Sequence, residues 1–66
     1  MKNRIKVERA EHDMTQADLA SKIGVSRQSI NAIEKGKFVP SAVLVLKISK
    51  LFKKSVEDIF ILEDED

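Results

Sequence analysis

The sequence predicts an all-α domain of five short helices, and three observations carry that prediction. Apolar residues recur at three- and four-residue spacing along most of the 66 residues, the spacing that gathers side chains on one face of a helix. Thr15, Ser26, Ser41 and Ser55 each stand just ahead of such a run, where an N-cap side chain belongs. The two glycines, Gly24 and Gly36, fall just past the second and third runs, where a left-handed residue ends a helix.

Each element follows in order. Residues 3 to 12 read as the first helix, with Ile5, Arg9 and His12 on one face and Val7 and Ala10 nearby. Thr15 opens the second, and Asp18 three residues on approximates a capping box; Leu19, Ala20 and Ile23 are its buried side, and Gly24 ends it. Ser26 opens the third, which buries Ile30 and Ile33 with Ala32 small beside them, and Gly36 ends it. Ser41, after the single proline Pro40, caps the fourth, whose apolar set is Leu44, Ile48 and Leu51, flanked by Val45 and Phe52. Ser55 caps the last, with Val56, Ile59 and Phe60 inward. Phe60-Ile61-Leu62 can also continue as a short strand.

Composition narrows the class. Sixty-six residues form one domain, residues 1–62, followed by an acidic tail, residues 63–66; two cores would each be too small to fold. There is no cysteine, and the lone His12 cannot build a metal site. A chain this short usually needs a staple, and association with a second copy is the one left. No apolar run approaches the roughly 20 residues of a membrane span, and no apolar signal core follows the basic start Met1-Lys2-Asn3-Arg4, so a soluble cytoplasmic protein is expected. The net charge of +1 conceals a division: residues 1–54 hold all twelve Lys and Arg against five acids, and residues 55–66 hold six acids and no base. A basic body attracts phosphate while an acidic end points elsewhere.

The middle of the chain carries the chemistry. A capped helix, the turn Ile23-Gly24-Val25 and a second capped helix make a helix-turn-helix signal. In Ser26-Arg27-Gln28-Ser29-Ile30-Asn31-Ala32-Ile33-Glu34-Lys35-Gly36-Lys37, only Ile30 and Ile33 must face the core. Arg27, Gln28, Ser29 and Asn31 are left on the early outer face, where a recognition helix meets base edges. Arg can donate twice to guanine O6 and N7, and Gln or Asn can pair with adenine N6 and N7. The first turn after Ser26 holds no acid.

These motifs resemble the Cro and repressor-type helix-turn-helix family, the xenobiotic-response-element-like regulators. The likeness runs over residues 5 to 60, through Thr15-Gln16-Ala17-Asp18-Leu19-Ala20, Ile23-Gly24-Val25-Ser26-Arg27-Gln28-Ser29-Ile30, Ile33-Glu34-Lys35-Gly36-Lys37 and Pro40-Ser41. Glu57-Asp58-Ile59-Phe60 near the end is similar to the small stand-alone regulators of the cytolysin-repressor type. The resemblance implies a compact lambda-repressor-like domain in which Arg27 and Gln28 read bases and Ser29 and Asn31 read secondarily. Gln16, Ser26, Lys35, Gly36 and Lys37 would meet the DNA backbone, and Gln16 would touch a phosphate or brace Arg27 or Gln28. Arg9 and Glu34 match an internal ion pair.

Several positions depart from the family. Glu8 stands where the first helix often carries Leu, so Val7 is expected to supply part of that packing. Asp13 and Lys53 occupy turn positions often held by glycine, which implies left-handed backbone there. Val39 replaces a commoner polar residue beside the backbone-contacting loop, and Val43 is apolar at a usually polar site.

Function classes divide accordingly. No nucleophile constellation, metal cluster or glycine-rich phosphate loop accompanies His12 and Asp13, which argues against an enzyme, and no cofactor or small-molecule effector is implied. The reading is a sequence-specific regulator of transcription, a repressor by preference because occluding a promoter needs only occupancy. An antitoxin or protein-interaction module on the same fold is the alternative. The partner is double-stranded DNA with a palindromic operator, bound by a symmetric homodimer. Ile59, Phe60, Ile61 and Leu62 would form its interface, and residues 63–66 would lie away from the DNA.

Overall fold

The computed structural model describes residues 1–66 as five helices and a two-stranded ribbon: β1 (Lys2–Asn3), α1 (Ile5–Glu11), α2 (Gln16–Ile23), α3 (Arg27–Glu34), α4 (Ala42–Phe52), α5 (Val56–Ile59) and β2 (Phe60–Ile61). The ribbon is antiparallel, with Lys2 opposite Ile61 and Asn3 opposite Phe60. It closes the chain on itself, and the Arg4 amide adds a bond to the Ile59 carbonyl at 2.8 Å.

The caps read from the sequence are made. The hydroxyls of Thr15, Ser26, Ser41 and Ser55 accept from the amides of Asp18, Ser29, Leu44 and Asp58. At Thr15 the box is reciprocal, since the Asp18 carboxylate accepts from the Thr15 amide at 3.0 Å. Gly24 sits at φ 78° with the Gly24 and Val25 amides both returning to the Ala20 carbonyl. A side chain there would have open space, so the conformation alone asks for glycine. Asp13 (φ 54°) and Lys53 (φ 57°) are left-handed without being glycine.

The core gathers one side of every helix: Ile5 from α1, Leu19, Ala20 and Ile23 from α2, Ile30 and Ile33 from α3, Leu44, Ile48 and Phe52 from α4, then Ile59 and Phe60. Phe52, not Leu51, is the buried residue at the end of α4, and Leu51 packs at the margin. The first helix is shorter than residues 3 to 12, because Asn3 is drawn into β1. Its Oδ1 accepts from the Ile5 amide at 3.3 Å and its Nδ2 donates to the Ile33 carbonyl at 2.8 Å, tying the start of α1 to the end of α3.

The packing at the Glu8 position differs from that expected. Val7 is exposed, and Glu8 is fully buried. Helical phase decides this: residue 8 lies with Ile5 toward the core, three residues on, whereas residue 7 does not. The Glu8 carboxylate is held by the Lys54 ammonium at 2.8 Å.

Ile59 and Phe60 belong to the core of the single chain and offer no surface to a second copy. Of the expected interface only Ile61 and Leu62 stay exposed. The acidic end also turns back. Glu63 and Asp66 approach the Met1 ammonium at 3.3 and 3.0 Å, and Glu63 lines a surface pocket together with Lys35 and Gly36. The end of the chain is therefore beside the turn that follows α3, where the sequence reading set it apart. No helix is long and apolar enough to cross a membrane.

Candidate nucleic-acid interface

Helix α3 is placed by its two buried isoleucines. Ile30 and Ile33 are wholly enclosed, which fixes the rotation of the helix and turns Arg27, Gln28 and Asn31 toward the N-terminal end of α2. There Gln16, the first residue of α2, joins Arg27, Gln28 and Asn31 in lining one shallow cleft with no apolar wall. Arg27 and Gln28 are exposed and Asn31 is half-buried. No carboxylate pairs with Arg27, and no acid lies in the first turn of α3, so the positive end of the helix is left to attract an anion.

The other expected contacts divide. Ser26 caps α3, and its hydroxyl also shares a 2.9 Å hydrogen bond with that of Ser29, which gives Ser29 a local partner in the cap. Lys35, Gly36 and Lys37 are exposed in the turn after α3. That turn is closed by the Lys37 amide on the Ala32 carbonyl at 2.9 Å, and Gly36 adopts φ 73°.

Beneath the cleft lies a continuous polar chain. Arg9 donates to Glu34 through Nε at 2.6 Å and Nη2 at 3.1 Å, and through Nη1 to the Met14 carbonyl at 3.0 Å. Both side chains are largely enclosed, at 13% and 8% exposure. The hydrogen bonds that Arg9 donates to Glu34 raise its pKa above the ordinary value, against the opposing effect of burial. The Gln16 amide nitrogen then lies 3.2 Å from Glu34 Oε1 and 3.2 Å from Asn31 Oδ1. Gln16 thus braces Asn31, not Arg27 or Gln28. Sequence reading missed this link, because residues 16 and 31 meet only once the two helices are packed.

A second pair was likewise missed. Lys54 reaches Glu8 at 2.8 Å and Glu11 at 3.6 Å, and these carboxylates raise its pKa, Glu8 foremost. His12 seals the same end of α1: Nδ1 lies 2.8 Å from the Glu8 carbonyl and the ring rests on Phe52, centroids 5.1 Å apart. His12 is thus a packing residue. No group of three or more His, Cys, Asp or Glu comes together in a way that could hold a metal ion.

Two capped helices joined by a glycine turn, with a polar face on the second, define a helix-turn-helix DNA-binding domain. The chain belongs to the helix-turn-helix family of Cro and repressor type, whose family model matches residues 5–59. It is 59% identical over 66 residues to an uncharacterised HTH-type transcriptional regulator of Methanocaldococcus jannaschii, with all of both chains covered. Among solved structures it is similar to the P22 c2 repressor in complex with a synthetic operator, at 30% identity and a TM-score of 0.77 over 82% of each chain. It shares its fold with the restriction-modification controller protein C.AhdI of Aeromonas hydrophila, at 24% identity and a TM-score of 0.77 over 86% of each. The family is one of DNA-binding transcriptional regulators and not of enzymes.

Proposed function

We propose that the protein is a transcriptional repressor that lays α3 in the major groove of a palindromic operator. The observation that carries this reading is the cleft of Gln16, Arg27, Gln28 and Asn31, polar throughout and free of acid. The likeness to a repressor solved with its operator supports it. Arg27 and Gln28 read bases, with Asn31 and Ser29 secondary. The Gln16 backbone amide, Ser26 and the Lys35-Gly36-Lys37 turn meet phosphates, which fix register without carrying sequence information. Domain 1–62 does this work in the cytoplasm, where the operator lies. Two copies join through a patch around Ile61 and Leu62, at 43% and 78% exposure the apolar pair at the end of the chain. A two-fold axis there would present two α3 helices about 34 Å apart to successive grooves.

Selection of bound sites from random DNA tests the reading, since it returns half-site and spacing together. A palindrome is expected. Arg27→Ala and Gln28→Ala should keep the fold, relax preference at single positions and lose about 1–3 kcal/mol for each base contact. Lys35→Ala and Lys37→Ala should weaken binding to every sequence and flatten its salt dependence. Full specificity in the Arg27 and Gln28 variants would defeat the assignment.

A further inference from the structure

We infer that Gln16 sets the base preference of Asn31, by holding the Asn31 carbonyl toward α2 so that its amide hydrogens face the groove. The inference rests on the proposed entry of α3 into the major groove and adds a specificity determinant beneath it.

The argument begins at a charge. Glu34 is held by two guanidinium nitrogens of Arg9, at 2.6 and 3.1 Å, and an ionised carboxylate can only accept hydrogen bonds. A glutamine amide 3.2 Å from Glu34 Oε1 must therefore present its NH2. That nitrogen has a second hydrogen, and Asn31 Oδ1 lies 3.2 Å away to receive it. Were the Asn31 amide turned over, two NH2 groups would face each other and the second hydrogen of Gln16 would lose its acceptor. The cation on Arg9 thus decides, through Glu34 and Gln16, which edge of Asn31 points outward. The Asn31 Nδ2 group makes no hydrogen bond within the chain and opens on the cleft shared with Arg27 and Gln28.

The consequence is chemical. Asparagine singles out adenine when Oδ1 accepts from N6 and Nδ2 donates to N7 side by side. With Oδ1 turned to Gln16, the contact left is donation from Nδ2. Guanine offers two acceptors to it, O6 and N7, while adenine offers N7 beside a competing donor. Asn31 is expected to favour guanine or to accept both purines equally. Gln16 is a positioning residue in this scheme. Its loss should change which base is chosen as well as how tightly DNA is held.

The test has two arms. In the free protein, the Gln16 side-chain amide protons should resonate away from those of a solvated glutamine and exchange slowly with water, and Asn31→Ala should shift them. Random-coil behaviour of that amide in the wild type would overturn the inference without touching the DNA reading. In site selection, the base under Asn31 is the one at which Asn31→Ala loses preference. Wild type should show guanine at least equal to adenine there, and Gln16→Ala should move the ratio toward adenine by about fivefold or more, the scale of one base contact. Adenine preferred by the wild type, a uniform loss of affinity in Gln16→Ala, or no position altered by Asn31→Ala would each overturn it. Wild type that selects no sequence at all would defeat the functional reading instead.

Discussion

Glu8 and Arg9 are neighbours on α1 and make the two shortest ion pairs that fasten this helix to the rest of the fold, but the pairs are built differently. Successive residues on a helix point about 100° apart, so one reaches α3 and the other the turn between α4 and α5. Arg9 and Glu34 meet through two hydrogen bonds, and the remaining polar atoms go to Met14 and Gln16. Glu8 meets Lys54 through one oxygen, and its other oxygen, Oε1, is buried with no partner. The fully satisfied pair lies under the candidate base-reading face; the half-satisfied one lies at the far end of α4. A saturated network fixes the side chains above it, whereas a half-satisfied carboxylate leaves part of its desolvation penalty uncompensated.

The largest effect should come from breaking the saturated pair. Glu34→Ala leaves the Arg9 guanidinium enclosed without its counter-charge, a loss of about 3–5 kcal/mol. In a domain of this size each kcal/mol moves the melting temperature by about 4–8 °C. Melts of Arg9→Ala, Glu34→Ala and the double variant measure the coupling directly. Small additive changes, within about ±0.5 kcal/mol, would erase the distinction between the pairs.

Glu8→Leu should act in the opposite direction. Leucine fills the core side of α1, removes the unpartnered Oε1, and leaves Lys54 half-exposed beside Glu11. Removing one partner of a buried pair is costly when the other charge stays buried. Lys54, however, is 40% exposed and the change removes an unsatisfied buried oxygen, a penalty of about 1–3 kcal/mol, so a higher melting temperature is expected with DNA binding unchanged. A lower one would show that the Glu8–Lys54 pair is as well compensated as the pair under α3.

What the sequence disclosed follows the same division. The caps at Thr15, Ser26, Ser41 and Ser55 and the stops at Gly24 and Gly36 are local events, settled by residues within one turn of each other. The α2–turn–α3 unit and its outer face were legible for that reason, whereas Arg9 with Glu34 and the left-handed turns at Asp13 and Lys53 were legible through the family resemblance. The rest depends on distant residues. β1 is two residues long, too short for any alternation, and exists because Phe60 and Ile61 come alongside. Glu8 looked like a polar residue in a leucine position because its partner is 46 residues away. The Gln16 to Asn31 contact needs the angle between two packed helices, which no periodicity specifies.

The smallest effect should come from the two left-handed turn residues, one beside each pair. Asp13 precedes Met14, whose carbonyl receives Arg9, and Lys53 precedes Lys54. At φ 57° and ψ 42° Lys53 carries the Cβ strain of left-handed backbone, roughly 1–2 kcal/mol. Glycine relieves that strain but adds about 0.5–1 kcal/mol of chain entropy to the unfolded state. Lys53→Gly should therefore stabilise by no more than about 1.5 kcal/mol. Asp13→Gly should gain less, since aspartate tolerates this conformation better than lysine. Repeating Lys53→Gly in a Glu8→Leu background tells what the turn is for. An equal gain in both backgrounds means that the strain is local to Lys53. A larger gain once Glu8 is gone means that a stiff, strained turn is what delivers the Lys54 ammonium to the buried carboxylate.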